Sequence, residues 1–319
     1  MENFGPRLEG GELLAKEIAG MEKTLFIIGN GFDIHHGVPS RFSGFSKHLR
    51  IEDSSLHDIV ERFLPVQEDW SDLEQALAAL DVDEIVDYAS MFLMSYGAED
   101  WSDAGHHDYQ YEVERIIHSL SSSLKAAFST WVVGLPIPCR SQVRAPVCID
   151  PTSTFLTFNY TDTLSAVYDV PDTHVLFIHG KAGEDSDGLV LGHAWNPAII
   201  PSLNDVPDPE SMDTRVMEGN EIINDFFGET FKDTKSIIEA NVTFFNSLKD
   251  ITKIYVLGHS LSFIDKEYFV TIVNNIDLAN VSWIITYYGD AEIRSHREFM
   301  DGLGVDQSMT YYVLLNELR

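Results

Sequence analysis

The stretch that decides the fold reads LFIIGNGFDIHHGVPSRF and covers residues 25–42. Its apolar start runs directly into Gly29-Asn30-Gly31-Phe32-Asp33, which is typical of a buried strand that ends at a tight turn. A third glycine, Gly37, precedes Val38-Pro39. The spacing differs from the usual dinucleotide fingerprint, G-x-G-x-x-G, because Ile34 stands where the last glycine would be. The stretch predicts either a strand-to-helix turn that lets a phosphate group approach the backbone, or the same turn without a ligand.

Composition limits the classes of function. The chain has 319 residues, 44% hydrophobic and 11% aromatic, enough for one large domain or two average ones. It carries 51 Asp and Glu residues against 21 Lys and Arg residues, a formal net charge of −30. Such a surface repels nucleic acids and anionic membranes, so we expect neither as a partner. We expect a cytoplasmic protein with an N-terminal extension over residues 1–20 and an α/β domain over residues 21–319, since neither a membrane span nor a secretory signal is present.

The cysteines and paired histidines do not predict a metal site. Cys139 and Cys148 are too few for a four-cysteine zinc site or a disulfide framework, and we expect both to be dispensable. His35-His36 and His106-His107 are predicted to be solvated or hydrogen-bonded surface residues, because neighbouring histidines on one element face apart. We therefore expect no metal.

The order of predicted elements is typical of a parallel α/β sheet with a helical insertion after the first strand. Helical periodicity extends over about residues 42–131; within it, Ser71 and Glu74 have capping-box spacing and Trp70 is predicted to lie in the core. Strand and helix patterns alternate after this region. The later predicted strands are STFLTFN (153–159), HVLFIHG (174–180), GLVLGHAW (188–195), KIYVLGHS (253–260), VSWIITYYG (281–289) and SMTYYVLL (308–315).

Polar or glycine-rich clusters follow four of the predicted strands. They are Gly29-Asn30-Gly31-Phe32-Asp33, Thr157-Phe158-Asn159-Tyr160, Ile178-His179-Gly180 and Gly258-His259-Ser260. Ligands of an open parallel sheet bind at the carboxyl ends of its strands. We therefore expect these four clusters to form one site.

These motifs resemble the AbiH family of bacteriophage abortive-infection proteins. The residues that carry the resemblance read FIIGNGFDIHHGVPSRFSGF, WSDLE, FNYTDTL, IHG and GHSLSFIDKEYF, in this order between Leu25 and Phe269. At a greater distance the pattern is similar to the Sir2-like, Rossmann-like NAD-binding fold, whose G-x-G…G-[IV]-P loop matches Gly29, Gly31, Gly37 and Pro39. The sirtuin D-F-R is replaced here by Ser40-Arg41-Phe42, and the four zinc cysteines are missing, so protein deacylation is not expected.

The resemblance implies an anti-phage effector that hydrolyses NAD⁺ to nicotinamide and ADP-ribose. It implies that Asn159 and His179 are catalytic, with Asp162 in support. Cleavage of the nicotinamide–ribose bond passes through an oxocarbenium-like centre and releases a neutral leaving group, so no strong general acid is needed. An asparagine amide can hold water or a ribose hydroxyl, and a neutral histidine can accept a proton. The NAD-binding residues implied are Gly29, Asn30, Gly31, Phe32, Asp33, Gly37, Arg41, Thr157, Gly258, His259 and Ser260.

Two other functions stay open at this point. The pocket would also suit a non-catalytic sensor of NAD or ADP-ribose, whose helical region contacts a second copy or a defence partner. Alternatively, GHSLS at residues 258–262 resembles the serine-hydrolase elbow G-x-S-x-G, with Ser260 as nucleophile and Ser262 in place of the last glycine. Asp290 and His296 would then complete a triad, although the elbow lies nearer the C-terminus than in the usual hydrolase order.

Overall fold

The centre of the protein is a parallel β-sheet. The computed structural model describes residues 23–97, 105–183 and 188–318, so the predicted extension over residues 1–20 and part of the polar loop before residue 105 lie outside it. The strands are β1 (Thr24–Ile28), β2 (Thr154–Thr157), β3 (Val175–Phe177), β4 (Lys253–Leu257), β5 (Ser282–Tyr287) and β6 (Thr310–Leu314). Their order in the six-stranded sheet is β3-β2-β1-β4-β5-β6, with all neighbouring pairs parallel. The predicted α/β class and parallel sheet are confirmed, and the doubly wound order puts the topological switch point between β1 and β4.

Strand β1 is apolar along its length because it is covered on both faces. Alternate residues of a strand point to opposite sides of a sheet. Leu25 and Ile27 accordingly pack into one apolar cluster, whereas Phe26 and Ile28 pack into another on the other face. This two-sided burial is typical of a central parallel strand.

Helices fill the long connection between β1 and β2. They are α1 (Asn30–His35), α2 (Phe42–Glu52), α3 (Ser54–Phe63), α4 (Leu73–Ala76), α5 (Val82–Ser90), α6 (Asp108–His118) and α7 (Leu124–Val133). A π-helical turn, Ser119–Ser123, joins α6 to α7 and makes them one continuous helix. The rings of Phe45, Trp70 and Phe128 meet in the core of this layer, with centroids 5.3–6.0 Å apart around Phe45.

The remaining helices flank the second half of the sheet and extend the helical layer. They are α8 (Thr163–Tyr168), α9 (Thr214–Glu229), α10 (Thr234–Ala240), α11 (Val242–Asn246), α12 (Lys266–Asn275) and α13 (Asp290–Gly302). Helix α9 packs on α6, so the connection between β3 and β4 returns to the helical layer. The strand predicted at residues 188–195 was wrong: this segment makes only a one-residue bridge between His193 and Phe231. Its apolar Leu189 and Leu191 pack into the helical core instead of a sheet.

The isolated motif predictions have mixed outcomes. Cys139 and Cys148 are exposed and free. His36 was predicted at the surface but is buried, because its two ring nitrogens are satisfied inside the fold, by the carbonyl oxygen of Phe32 at 2.7 Å and the Tyr168 hydroxyl at 2.6 Å. Across the part of the chain that the structure describes, no helix has the length and apolar character needed to cross a membrane.

Candidate functional site

The four predicted clusters border one cavity at the topological switch point. Its volume is about 530 Å³, within the range of small-molecule sites. Asn30 follows β1, Asn159 follows β2, His179 follows β3 and Gly258 follows β4, and all four line it. The structure therefore brings together residues that are far apart in the sequence, as the strand-end argument predicted.

The glycines of the β1 and β4 turns fit tightly against each other. The Gly29 N–H donates to the carbonyl oxygen of Leu257 at 3.0 Å, and the Gly31 N–H donates to that of Gly258 at 2.8 Å. An added Cβ would lie 2.5 Å from His259 Cα at Gly29, and 2.1 Å from the Phe32 nitrogen at Gly258, where φ is +64°. The backbone of the neighbouring turn alone is enough to require glycine at both positions, whereas the predicted approach of a ligand to these glycines stays a prediction.

Several predicted NAD-binding residues are not part of the cavity lining. Phe32 is fully buried in the core, and the Thr157 hydroxyl accepts a hydrogen bond from the Asn159 N–H at 3.1 Å. Gly37 has φ of +84° and open space around it. Among the residues described, these three are not part of the lining, whereas Asn30, Arg41 and Ser260 are.

The two predicted aspartates have different surroundings. Asp33 lines the cavity and is buried; its Oδ2 accepts a hydrogen bond from the Thr161 hydroxyl at 2.6 Å. Its other oxygen has no hydrogen-bond partner within the described chain, and burial raises the pKa of this carboxyl. Asp162 instead pairs with Lys181 at 2.5 Å, and Lys181 also contacts Asp172 at 3.2 Å. The structure thus brings Asp33 to the cavity and holds Asp162 in a half-exposed ion pair outside its lining.

Asn159 is fixed by the turn that follows β1. Its Nδ2 donates to the carbonyl oxygen of Gly29 at 3.1 Å, and the residue is buried at the cavity wall. Because the amide nitrogen is committed to this bond, the amide oxygen is the atom left to accept a hydrogen bond from water or a ligand hydroxyl.

His179 is a buried, neutral imidazole at the cavity. Its Nε2 makes no hydrogen bond within the described chain and lies 4.0 Å from Oδ1 of Asp265. Its ring packs against Phe158 and Tyr268, with centroids 5.3 and 5.6 Å away. Burial first, and then Lys232 and His259, lower its pKa well below the usual range. His179 can therefore accept a proton at neutral pH.

Sequence reasoning missed a buried charge cluster beside His179. Lys232 Nζ lies 3.3 Å from Oε1 of Glu74 and 3.6 Å from Oδ1 of Asp265. Burial alone lowers the pKa of Lys232, but the two carboxylates more than offset this and raise it. Asp265 Oδ2 also lies 3.5 Å from Nε2 of His259. The site therefore contains one ammonium group shared by two carboxylates, next to two imidazoles.

The WSDLE motif contributes to the site differently from the prediction. Trp70 is fully buried, as expected, and its indole N–H donates to Glu61 at 2.5 Å. The predicted capping box between Ser71 and Glu74 is wrong, because α4 begins at Leu73 with Asp72 in the N-cap position. With this helix start, the Glu74 carboxylate faces Lys232. The WSDLE motif thus contains a residue of the site, Glu74, which the sequence analysis interpreted as part of a helix cap. Lys232 had no comparable signal.

The lining of the cavity is rich in acidic groups. Its carboxylates are Asp33, Asp69, Asp72, Glu74, Asp265 and Glu292, and its lysine and arginine are Lys232 and Arg41. Lys232 is already paired, whereas Arg41 is exposed. No group of three or more potential His, Cys, Asp or Glu ligands within the described ranges could hold a metal ion. The cavity favours a ligand with positive charge or many hydroxyl groups in its interior and an anionic group only near Arg41.

The fold defines a doubly wound α/β protein with a cavity at its switch point. The chain belongs to the bacteriophage abortive infection AbiH family, whose model matches residues 25–287. This range contains all residues that line the cavity except Glu292. Comparison with functionally curated proteins found no match.

Proposed function

We propose that this AbiH-family protein is an abortive-infection effector that hydrolyses NAD⁺ to nicotinamide and ADP-ribose in a Sir2-like site. One observation carries the proposal: a neutral His179 with an unpartnered Nε2 and Asn159 line the same acid-rich cavity at the switch point. Such a site combines a proton acceptor, a group that orients water and carboxylates that stabilise a developing cation.

The reaction follows from these groups. The bond between ribose C1′ and the pyridinium nitrogen breaks, its electron pair stays with the nitrogen, and neutral nicotinamide leaves. Positive charge develops on the ribose, where the carboxylate-rich lining lowers the barrier. Water held by Asn159 adds to C1′, and its proton passes to Nε2 of His179. Asp265, 4.0 Å from Nε2, stabilises the imidazolium that forms.

The charge distribution orients the dinucleotide. Carboxylates repel a pyrophosphate, and Lys232 is already engaged by Glu74 and Asp265. The phosphates therefore lie towards Arg41, Asn30 and Ser260, and the nicotinamide ribose lies deeper, towards His179. Asp162 lies outside the lining, where its carboxylate pairs with Lys181, and takes no part in the bond cleavage.

The test follows nicotinamide release from NAD⁺ by purified protein. We expect Asn159→Ala and His179→Ala each to reduce turnover by about a hundredfold or more, the usual size for a positioned acid–base or electrostatic group. His118→Ala is the matched control, because His118 is exposed at the end of α6. Thermal unfolding of each variant confirms that the fold is retained.

The same experiment separates the alternatives. If wild-type protein binds NAD⁺ or ADP-ribose without releasing nicotinamide, the proposed enzymatic function is wrong and a sensor function is favoured. Covalent labelling of Ser260 by a fluorophosphonate would favour the hydrolase. In cells, both variants should lose phage protection together, and protection by either would contradict the proposal.

A further inference from the structure

Lys232 is built rigidly into the wall of the cavity. Its side chain is 1% exposed although it carries an ammonium group. Its backbone N–H donates to the carbonyl oxygen of His193 at 2.7 Å, and the His193 N–H donates to that of Thr230 at 2.9 Å. The backbone of Lys232 is thus held by hydrogen bonds, and its ammonium lies between Glu74 of the helical layer and Asp265, which follows β4.

Asp265 connects this ammonium to both histidines of the cavity. Its Oδ1 faces Lys232 at 3.6 Å and His179 Nε2 at 4.0 Å, and its Oδ2 faces His259 Nε2 at 3.5 Å. His259 Nδ1 accepts a hydrogen bond from the Leu261 N–H at 2.9 Å, which leaves the proton of the neutral ring on Nε2, facing Asp265. One carboxylate is thus shared by three partners.

The charge state of His179 depends on the balance within this cluster. The titratable groups around His179 are Lys232, Asp265, His259, Tyr160 and Tyr268, with Glu74 behind Lys232. An unpaired Asp265 would favour the imidazolium form of His179, whereas the nearby ammonium disfavours it. Glu74 offsets part of the ammonium charge and so lowers the free-energy cost of burying the Lys232 side chain.

We propose that Lys232 is a positioning residue of the site: it holds Asp265 against His179 and adds to the effect of burial in keeping His179 neutral, and Glu74 stabilises the ammonium in this position. The predicted effect of Lys232 on catalysis rests on the proposed NAD⁺ cleavage, whereas its predicted effect on the titration of His179 does not. The alternative role is a structural one, in which Lys232 merely ties the helical layer to the sheet. That role predicts a loss of stability without a change in the titration of His179.

The decisive measurement is a histidine NMR titration of the whole protein with ¹³C-labelled histidine. The His179 signal is identified by its loss in His179→Ala. In Lys232→Met we expect the His179 midpoint to move upward by roughly one pH unit, the size for loss of a unit charge at this range. Lys235→Met is the control, because Lys235 is exposed and pairs with exposed Glu239 on the same helix, α10. Identical His179 titrations in the two variants would overturn the proposal.

A second variant protects the test against misfolding. Lys232→Met leaves two buried carboxylates without their cation, which is costly, whereas Glu74→Gln combined with Lys232→Met removes one charge of each sign. The double variant should also show a raised His179 midpoint, by less than in Lys232→Met because the negative charge of Glu74 is lost as well, and an unshifted midpoint there contradicts the proposal. For NAD⁺ cleavage, the acidic limb of the kcat profile should move upward with KM changed less than about threefold. If the protein does not cleave NAD⁺, the titration alone still decides the role of Lys232.

Discussion

The contact between the β1 and β4 turns gives a quantitative prediction about glycine. A Cβ at Gly258 would meet the Phe32 nitrogen at 2.1 Å and the Gly31 carbonyl carbon at 2.5 Å, with φ at +64°. The left-handed conformation costs an alanine about 1–2 kcal/mol. Forcing apart two packed backbones adds about 1–3 kcal/mol. We therefore expect Gly258→Ala to lower the free energy of unfolding by about 2–5 kcal/mol.

Two other glycines separate these contributions. Gly37 has φ of +84° but nothing within 4 Å of an added Cβ, so Gly37→Ala should cost only the conformational part, about 1–2 kcal/mol. Gly228 lies inside α9 with open space around it, and alanine there should be neutral or stabilising by up to about 1 kcal/mol.

Urea denaturation of the three variants and the wild type measures these differences directly. The expected order of stability is Gly228→Ala, wild type, Gly37→Ala and then Gly258→Ala. If Gly258→Ala is no less stable than Gly37→Ala, the two turns do not restrain each other and the interpretation of this contact is wrong.

Three further predictions concern acid, thiols and the Lys181 ion pair. Burial is the largest cause that lowers the pKa of five histidines, to about 4 in His36 and about 3 in His259; the others are His179, His193 and His296. The unfolded chain therefore binds more protons below pH 6.5, and the free energy of unfolding should fall as the pH drops from 6.5 towards 4, by up to about 1.4 kcal/mol per histidine and pH unit. Urea denaturation at each pH measures it, and a flat profile would contradict this. Cys139→Ser with Cys148→Ser should change stability by less than about 0.5 kcal/mol, since both thiols are exposed, and a larger loss in thermal unfolding would show a hidden role. Asp162→Ala should leave nicotinamide release within about threefold of wild type, since its exposed pair with Lys181 is worth little; a hundredfold loss would return Asp162 to the catalytic group.

Local patterns were enough to predict the parallel sheet and the meeting of four strand ends. Each strand is marked by its own apolar run and terminating glycine or polar residue, and parallel strands necessarily end at one edge. The same patterns failed at residues 188–195, because buried leucines in an irregular segment have the spacing of a strand. The AbiH resemblance was confirmed by the family match, whereas NAD⁺ cleavage stays a prediction.

The charge cluster of Glu74, Lys232 and Asp265 could not be predicted from local sequence patterns, for a physical reason. Lys232 lies in an acidic segment between Phe231 and Asp233, and nothing in its neighbourhood indicates burial. Its partners, Glu74 and Asp265, are supplied by segments more than thirty residues away on either side. Only the tertiary fold can show which carboxylate meets which lysine. The cause of the glycine requirement at Gly29 and Gly258 was hidden in the same way.

The contact between the β1 and β4 turns also fixes when the site can exist during synthesis. Gly29 pairs with Leu257, and Lys232 lies between Glu74 and Asp265, so no N-terminal fragment that stops before β4 holds a complete cavity. Ribosomes add about 5–20 residues per second, so roughly 10–50 s separate the synthesis of the turn after β1 from that of Asp265. Pairings this distant in sequence also form slowly. A nascent chain therefore carries no assembled site for most of its translation, and premature termination yields fragments without one.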